Sequence, residues 1–371
     1  MGKRVLVITA SIGNGHISAA AALQEALRAE GWEVEVVDWV EVAPPFLGIC
    51  HRGGYEFLVR HFPAGWGWLY HLYDQSPLVI RLKTAVDAWC HEGLKKIIRA
   101  SRPDWVLCLH PQPLPALATI RKEVRFRLGV VMTDLYPFAL WLRGEPDVFF
   151  VPSEWSRQVV EDRLSGAQAQ TVVTGIPVRQ FFQTQLSRAD ACRELGFTAA
   201  RPLIVVASGG IGGGPLYSVV HALLRMPGDC QLAVVAGRNK VTQKKLQRLE
   251  RRFAGRLVVY GHLAPEHMAS LMRASTILIS KAGGLTLFEV FASGCLLIVY
   301  TPFVIPGQEI PNKDFLLESG AGIVAHTTIE LTAQVQRLVR EPLWKQDIML
   351  RCRRLARPYA AAMIARLLGE K

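Results

Sequence analysis

The stretch from residue 278 to residue 312 restricts the possible fold more than any other part of the chain. An apolar run ends at Ser280, the turn Lys281–Gly284 contains two glycines, and a helical pattern begins at Leu285. A second apolar run, Leu296–Tyr300, follows. This order predicts a parallel β-α-β unit whose turn leaves backbone N–H groups free at a helix N-terminus. Because the helix dipole favours negative charge there, the stretch predicts a site for an anion such as a diphosphate.

Polar residues in the same stretch point to a nucleotide. Glu289 lies one helical turn beyond Thr286, close to the predicted anion site. A carboxylate cannot stabilise a phosphate, but it suits the paired hydroxyls of a ribose. A proline-marked loop then leads to Gln308, Glu309 and Asn312. We therefore interpret residues 278–312 as part of a nucleotide-binding domain.

The rest of the chain repeats the alternation of apolar strands and helices, with one interruption at Gly175–Val178. The sequence therefore predicts an α/β fold of two tandem Rossmann-like, doubly wound domains. The first domain covers residues 1–178 and the second covers 201–349, with a linker segment at 179–200. Two such domains usually bind their ligand in the interdomain cleft, because the carboxyl ends of the strands face it from both sides. The last segment, about residues 343–368, is predicted to be helical and basic.

The charge balance describes the partner in general terms. The chain of 371 residues carries 43 Lys and Arg against 31 Asp and Glu, a net charge of +12. Such an excess indicates an anionic partner: nucleic acid, an acidic membrane surface or a phosphorylated substrate. We find no recognition-helix, zinc-finger or RNP-like pattern, so no nucleic acid is expected. No apolar run reaches the roughly 18 to 20 residues that a membrane span requires.

Cysteine and acidic spacings give no sign of a metal. The seven cysteines form no C-x-x-C pair, which argues against a disulfide framework and a zinc site and predicts a reducing cytosol. The chain also contains no D-x-D sequence, which disfavours a metal-bridged sugar-nucleotide transferase. We therefore expect that no metal is required.

Two further glycine turns follow predicted strands in the second half. Ser208–Gly214 has five glycines in six residues and lacks the Lys-Ser/Thr of a P-loop. Close approach of its backbone to a ligand is the favoured interpretation, with a flexible turn as the alternative. Gly237–Lys240 follows the next strand and puts two cations at the same sheet edge, where a solvated loop is the alternative.

The first glycine turn, Gly13–Gly15, leads into a helix at His16. Together with Asp38, the turn approximates a dinucleotide-binding fingerprint, but its third glycine is missing. The plain interpretation of His16 is a polar helix cap or a packed ring. A helix N-terminus also disfavours the charged imidazole, and this would keep His16 available as a general base.

A region from Pro44 to Trp89 has no strand pattern and mixes aromatic residues with cations. Its aromatic residues include Phe46, Tyr55, Phe57, Phe62, Trp66, Trp68, Tyr70 and Tyr73. For any one of these rings, the default interpretation is a position in an irregular part of the core. As a group, rings interleaved with cations are typical of a surface that binds anionic lipid.

Several segments together resemble a known family. SKAGGLTLFEVFASG and PGQEIPNKDFLLESGAG are similar to the C-terminal domain of family-28 glycosyltransferases. ITASIGNGHISAAAALQEAL resembles the N-terminal domain of the monogalactosyldiacylglycerol synthase and processive diacylglycerol glucosyltransferase group, and TDL, VPSEW and GIPV match as well. The resemblance implies a GT-B fold with a nucleotide-sugar cleft and a C-terminal helix, about residues 350–371, that returns to the first domain.

The resemblance also implies a role for each matching residue. His16 corresponds to the general base that acts on the acceptor hydroxyl, and Glu289 to the residue that binds the ribose. The remaining donor residues are Gly210, Gly212, Gly213, Gly284, Leu285 and Thr286 for the diphosphate with Arg238 assisting, His262 and Leu263 for the uracil edge, and Gln308 and Glu309 for the sugar with Asn312 supporting their loop.

One position departs from the group. After Thr133 and Asp134 the group has a histidine and then a tryptophan, whereas here Phe138 stands in place of the histidine and Trp141 remains. The difference concerns the preference for the acceptor or the sugar. Asp134 is a hypothetical carboxylate partner that orients His16. The residues expected at the membrane or the acceptor are Trp66, Trp68, Tyr70 and Phe138.

The implied activity is the inverting transfer of a hexose from UDP-galactose or UDP-glucose to the hydroxyl of diacylglycerol. The UDP-sugar would be the only cofactor, and the protein would bind peripherally to an anionic membrane on its cytoplasmic side. Three alternatives stay open: a transferase for a polyprenyl-linked cell-wall precursor, a non-catalytic UDP-sugar-binding protein, and a nicotinamide oxidoreductase that binds its cofactor at Gly13–Gly15.

Overall fold

The structure, a computed structural model, describes residues 3–11, 13, 15–43, 53–76, 78–79, 81–82, 90–164, 169–183 and 186–370. The chain divides into two compact units. The first unit consists of residues 1–179, 306–308 and 357–371, and the second of residues 180–305 and 309–356. Each contains one six-stranded sheet. The predicted α/β fold with two Rossmann-like domains is thus confirmed.

The sheet of the first unit has the order β2-β1-β3-β4-β5-β6, and all its pairings are parallel. The strands are β1 (Arg4–Thr9), β2 (Glu33–Asp38), β3 (Trp105–Cys108), β4 (Arg127–Val131), β5 (Val148–Val151) and β6 (Gln170–Val173). β3 and β5 are buried along their whole length, as strands covered on both faces require. The order reverses beside β1, so the carboxyl ends of β1 and β3 form the sheet edge where such folds bind ligands.

In the described part of the first unit, the following helices precede its last strand. They are α1 (Gly15–Ala29), α2 (Trp39–Val42), α3 (Tyr55–His61), α4 (Pro63–Gln75), α5 (His91–Ser101), α6 (Leu114–Ile120) and α7 (Glu154–Arg163). The aromatic and basic region, expected to lack strands, contains α3 and α4 in its described part. Phe46 and Trp89 of that region lie outside the described residues.

The sheet of the second unit has the order β12-β11-β10-β7-β8-β9 and is also parallel. Its strands are β7 (Leu203–Ala207), β8 (Gln231–Val235), β9 (Leu257–Tyr260), β10 (Ile277–Ser280), β11 (Leu297–Tyr300) and β12 (Ile323–Ala325). The predicted strand, glycine turn, helix and second strand of the opening stretch are present. The order reverses beside β7, so the loops after β7, β8 and β10 are neighbours.

The helices of the second unit are α8 (Arg188–Glu194), α9 (Leu216–Arg225), α10 (Lys240–Arg252), α11 (Pro265–Ala274), α12 (Gly284–Ser293), α13 (Ile310–Ser319), α14 (Thr328–Arg340) and α15 (Pro342–Leu355). The segment 179–200, expected as a linker, carries α8 and falls almost entirely within this unit. Cys192 on α8 is fully buried, so this segment is part of a core.

The C-terminal segment, predicted as one helical stretch, forms two helices. α15 belongs to the second unit, and α16 (Ala360–Gly369) belongs to the first. Pro358 lies between them, and a proline inside a helix removes a backbone hydrogen bond. α16 packs on α1 through its buried residues, which include Ile364 and Leu368. The last residues of the sequence therefore complete the core of the first unit.

Among the described residues, no helix is both long enough and apolar enough to cross a membrane. The described cysteines, Cys90, Cys108, Cys192, Cys230, Cys295 and Cys352, are buried and free.

Candidate active site

His16, the predicted general base, is the second residue of α1. Its Nδ1 lies 3.0 Å from the carbonyl oxygen of Leu109 and 2.8 Å from Thr133 Oγ1. A carbonyl oxygen only accepts hydrogen bonds, so this contact assigns the proton to Nδ1. Nε2 is then the basic nitrogen of the neutral ring. The first unit thus contains a histidine whose tautomer suits the removal of a proton from a hydroxyl.

The surroundings of His16 keep it neutral. Burial lowers its pKa below the ordinary value of 6.5, and this effect exceeds the opposing effects of the Asp134 charge and the hydrogen bond to Leu109. A neutral imidazole can accept a proton, whereas an imidazolium cannot. The direction of this pKa shift agrees with the role predicted for His16.

Asp134, the hypothetical partner of His16, is 8% exposed, and its Oδ2 accepts a hydrogen bond of 2.9 Å from Trp141 Nε1. Its charge opposes the lowering of the His16 pKa. The Leu109 carbonyl and the Thr133 hydroxyl contact Nδ1 directly, and sequence reasoning gave neither residue a role. The orienting role of Asp134 stays a prediction.

A second histidine lies beside His16. The ring centroid of His110 is 4.7 Å from that of His16, and the two ring planes are 73° apart. His110 Nδ1 accepts a hydrogen bond of 3.3 Å from the Gln112 backbone N–H. Sequence reasoning missed His110, although a polar residue shortly after a buried strand was a usable signal.

The four residues predicted at the membrane or the acceptor separate into interior and surface. Tyr70 and Phe138 are 8% and 7% exposed, and their ring centroids are 4.9 Å apart. Trp66 is partly buried and packs against the core of the first unit, whereas Trp68 is 66% exposed. Tyr70 and Phe138 thus lie too deep for a membrane surface, and their contact with the acceptor stays a prediction.

Large rings are exposed on α3 and on the start of α4. Phe57 and Phe62 are 56% and 58% exposed, and their ring centroids are 6.0 Å apart. His61 lies 4.9 Å from Phe57, between ring centroids. We call Phe57, Phe62 and Trp68 the aromatic surface.

In the second unit, backbone carbonyl groups of the loop after β7 accept hydrogen bonds from the loop after β8. The Arg238 backbone N–H donates to the Gly210 carbonyl at 3.0 Å, and Asn239 Nδ2 donates to the Gly212 carbonyl at 2.9 Å. Gly212 has φ of +71°, and a Cβ there would collide with the Ala236 carbonyl oxygen. Only glycine fits this position. The glycine here therefore allows close contact between two loops of the protein, whereas the sequence predicted close contact between the loop and a ligand.

The N-termini of α10 and α12 differ in their capping. The Asn239 side chain accepts a hydrogen bond of 3.0 Å from Thr242 N–H and so caps α10. The N-cap of α12 is Gly283, which has no side chain to cap with. A Cβ at Gly283 would lie 3.2 Å from Thr286 Oγ1 and 3.5 Å from Lys281 Nζ. Glu309 Oε1, which pairs with the Lys281 ammonium, lies 3.7 Å from the same point. The backbone N–H groups of the helix N-terminus and the Thr286 hydroxyl remain as donors that fit an anion.

Glu309 and Asn312 hold this turn in place. Glu309 is 3% exposed, and it pairs with Lys281 and accepts a hydrogen bond of 2.9 Å from the Ile305 N–H. Asn312 Nδ2 donates to the Ala282 carbonyl at 2.9 Å. Both carboxylate oxygens of Glu309 thus have partners inside the protein, and its contact with a sugar stays a prediction. Sequence reasoning gave Lys281 no role of its own.

Glu289 lies on α12, six positions after the N-cap. Burial raises the pKa of its carboxyl group to about 8. Within the described part of the chain, no residue forms a hydrogen bond or an ion pair with this carboxyl group. A partly buried carboxyl group that has no partner among the described residues is suited to a ligand that supplies hydroxyls, such as a ribose.

The other predicted donor residues are more scattered. Gln308 is grouped with the first unit, where its Oε1 accepts a hydrogen bond of 3.4 Å from the Tyr55 hydroxyl. Arg238 and His262 are exposed in the second unit, while Leu263 and Leu285 are partly buried. A Cβ at Gly213 would meet no other atom within 4 Å, so its side of the loop is open.

Residues 16–178 match the family model described as monogalactosyldiacylglycerol (MGDG) synthase. A protein of Bacillus mycoides strain KBAB4 named processive diacylglycerol beta-glucosyltransferase is 27% identical, over 97% of this chain and 92% of its own. A protein of the same name from Bacillus cytotoxicus is 27% identical, over 99% and 94%.

Solved structures show the same fold. MurG of Acinetobacter baumannii has a TM-score of 0.63 at 16% identity, with all of both chains covered. The UDP-GlcNAc 2-epimerase of Neisseria meningitidis, bound to UDP-GlcNAc, has a TM-score of 0.64 at 14% identity, covering 99% of this chain and 100% of its own. The fold is of the GT-B type. Residues 16–178 thus resemble MGDG synthase, and nearly the whole chain is similar to the proteins named processive diacylglycerol beta-glucosyltransferase.

Proposed function

We propose that the protein transfers a hexose from UDP-glucose or UDP-galactose to the hydroxyl of diacylglycerol and so makes a glycolipid. The observation that carries the proposal is His16, a neutral histidine whose Nδ1 is bonded to the Leu109 carbonyl and whose Nε2 is basic. The names of the relatives support the acceptor, and the free N-terminus of α12 supports the diphosphate of the donor.

In the proposed mechanism, His16 Nε2 removes the proton from the acceptor hydroxyl. The oxygen forms a bond to the anomeric carbon from the face opposite UDP, and the bond from that carbon to the diphosphate breaks. The configuration therefore inverts. The negative charge left on UDP is stabilised by the N–H groups at the start of α12, by Lys281 and by the glycine loop after β7.

The proposal includes no metal. Its basis is the sequence, which lacks D-x-D, and the cations and helix N–H groups available for the diphosphate. Turnover that is unchanged by EDTA is the expected result.

We further propose that the protein binds the cytoplasmic side of an anionic membrane without crossing it. The aromatic surface and the net charge of +12 support this location, because rings enter the head-group region while cations attract anionic lipid.

The direct test incubates the protein with diacylglycerol and a panel of UDP-sugars, followed by mass analysis of the lipid product and identification of its sugar. A hexosyl-diacylglycerol is the expected product. Transfer only to a polyprenyl-linked precursor would select the cell-wall alternative instead. Tight UDP-sugar binding without UDP release would indicate a non-catalytic binding protein.

A further inference from the structure

Two hydrogen-bond donors on α4 are buried and have no partner among the described residues. The Tyr70 hydroxyl and Trp66 Nε1 are inaccessible to solvent and have no hydrogen-bond partner in the described part of the chain. Residues four positions apart lie on the same face of a helix. One face of α4 therefore presents two unused donors, one turn apart.

The position of this face is well determined. Asp74, four residues after Tyr70, accepts hydrogen bonds from Ala139 N–H at 2.8 Å and from Arg163 Nη1 at 2.9 Å. The Tyr136 hydroxyl also donates to Asp74, at 3.0 Å. On this face of α4, Asp74 thus has several hydrogen-bond partners, whereas Tyr70 and Trp66 have none among the described residues. Buried polar groups in native proteins normally have partners, so the missing acceptor is expected on a ligand.

The charge of Asp134 acts on both Tyr70 and the proposed base. Burial raises the pKa of the Tyr70 hydroxyl well above 10, and the charge of Asp134 adds to this effect. The Tyr70 hydroxyl therefore stays protonated and able to donate.

We propose that Tyr70 and Trp66 bind an ester carbonyl oxygen of the acceptor lipid. This inference rests on the proposed function. Diacylglycerol has a single hydroxyl, which must reach His16 Nε2, so its remaining oxygens belong to ester groups. An indole N–H only donates, and its partner must therefore be an accepting oxygen. The carboxylates of Asp134 and Asp74 nearby would disfavour an anionic lipid at this point.

The test compares diacylglycerol with its dialkyl ether analogue, which keeps the hydroxyl and lacks both carbonyls. For the wild-type protein we expect the KM for the diacyl lipid to be roughly 5- to 10-fold lower. Tyr70→Phe should abolish this preference and leave the KM for the UDP-sugar unchanged, and Trp66→Phe should reduce it. Tyr359→Phe is the matched control, because Tyr359 is 75% exposed, and it should keep the wild-type preference.

If the wild-type protein is active and Tyr70→Phe keeps the same preference for the diacyl lipid, the inference is overturned. A raised Tm of Tyr70→Phe would then identify the hydroxyl as an unsatisfied core group. A wild-type protein that glycosylates neither lipid would overturn the proposed function, and this inference with it.

Discussion

His16 and Glu289 are partly buried ionisable residues, and the effect of burial on the pKa of each outweighs the effects of neighbouring charges. The pKa of His16 is lowered below 6.5, and the pKa of Glu289 is raised to about 8. Burial disfavours the charged form in both cases. The neutral form is the active form of a base, whereas a ribose is bound best by an ionised carboxylate. The two residues should therefore respond differently to pH.

Replacement of His16 by alanine tests the proposed base. We expect His16→Ala to reduce turnover by about 10²-fold or more, because no other group would take the acceptor proton, and to leave UDP affinity almost unchanged. Steady-state kinetics and calorimetric titration with UDP measure the two effects. His326→Ala, at an exposed histidine, is the control and should retain full turnover. An active His16→Ala protein would remove His16 from the mechanism.

The pH profile gives a second test of His16. Because the folded-state pKa lies below 6.5, the acid limb of kcat/KM should fall below pH 6.5. The unfolded chain takes up this proton first as the pH decreases, so His16 should also lower folding stability in the window below pH 6.5. An acid limb above pH 6.5 would show that another group limits the rate.

Glu289 should make UDP binding depend on pH. The carboxyl group is mostly protonated at pH 7, so UDP affinity should increase between pH 6 and pH 9 as it ionises. Glu289→Gln should weaken UDP binding and remove most of this increase. The same pKa shift contributes stability that is present below the unfolded pKa and lost as the pH rises through about 8. Glu289→Gln should therefore be more stable than the wild-type protein at pH 9, by thermal unfolding, and equal affinity and stability profiles would contradict both assignments.

Among the helices, α3 and α4 carry exposed aromatic side chains, and α4 also carries a buried one. Trp68 points outward from α4, whereas Tyr70, two positions later, is buried. From the sequence, any single ring in this region was expected in the core, and only the rings as a group indicated a surface. The exposed and the buried rings differ in the face of the helix on which they lie. This periodicity is hard to recognise in a sequence that mixes aromatic and basic residues.

The aromatic surface should control membrane binding. We expect Phe62→Ser combined with Trp68→Ser to reduce binding to anionic liposomes by at least about 10²-fold, because each exposed ring contributes roughly 1.5–3 kcal/mol when buried in lipid. A liposome sedimentation series with increasing anionic lipid measures the effect. Ile329→Ser with Leu343→Ser removes apolar residues of 82% and 78% exposure in the second unit and is the control. Equal binding by the two double variants would place the membrane contact elsewhere.

The sequence predicted the helices and strands around the glycine turns well, because a turn after a buried strand has a strong local signal. It missed β12, which has three residues, and α13, which begins in a loop marked by prolines. The helices α11 and α14 were missed as well. It also missed most of the surroundings of His16. Leu109 and Thr133 are about a hundred positions away in the chain, and Leu109 contributes a backbone carbonyl, a group that every residue carries.

For the molecule as a whole, the two compact units are not two consecutive segments of the chain. Residues 357–371 belong to the first unit, although the 48 residues before them belong to the second. α16 packs on α1, the helix that carries His16, and Arg366 pairs with Glu30 at 3.3 Å. We therefore expect the stability of the helix that holds the proposed base to depend on a segment that lies more than 330 residues further along the chain.

Ile364→Ala tests this dependence. Ile364 is fully buried on α16, and its truncation should reduce the stability of the first unit by about 2–5 kcal/mol through lost burial and a cavity. Hydrogen exchange followed by mass spectrometry should show faster exchange in peptides from β1 and α1 and unchanged exchange in peptides from β7 and β8. Met363→Ala, at the neighbouring position with 41% exposure, is the control and should change neither. Faster exchange confined to α16 itself would show that α1 is stable without its contact, and the first unit would then not depend on the end of the chain.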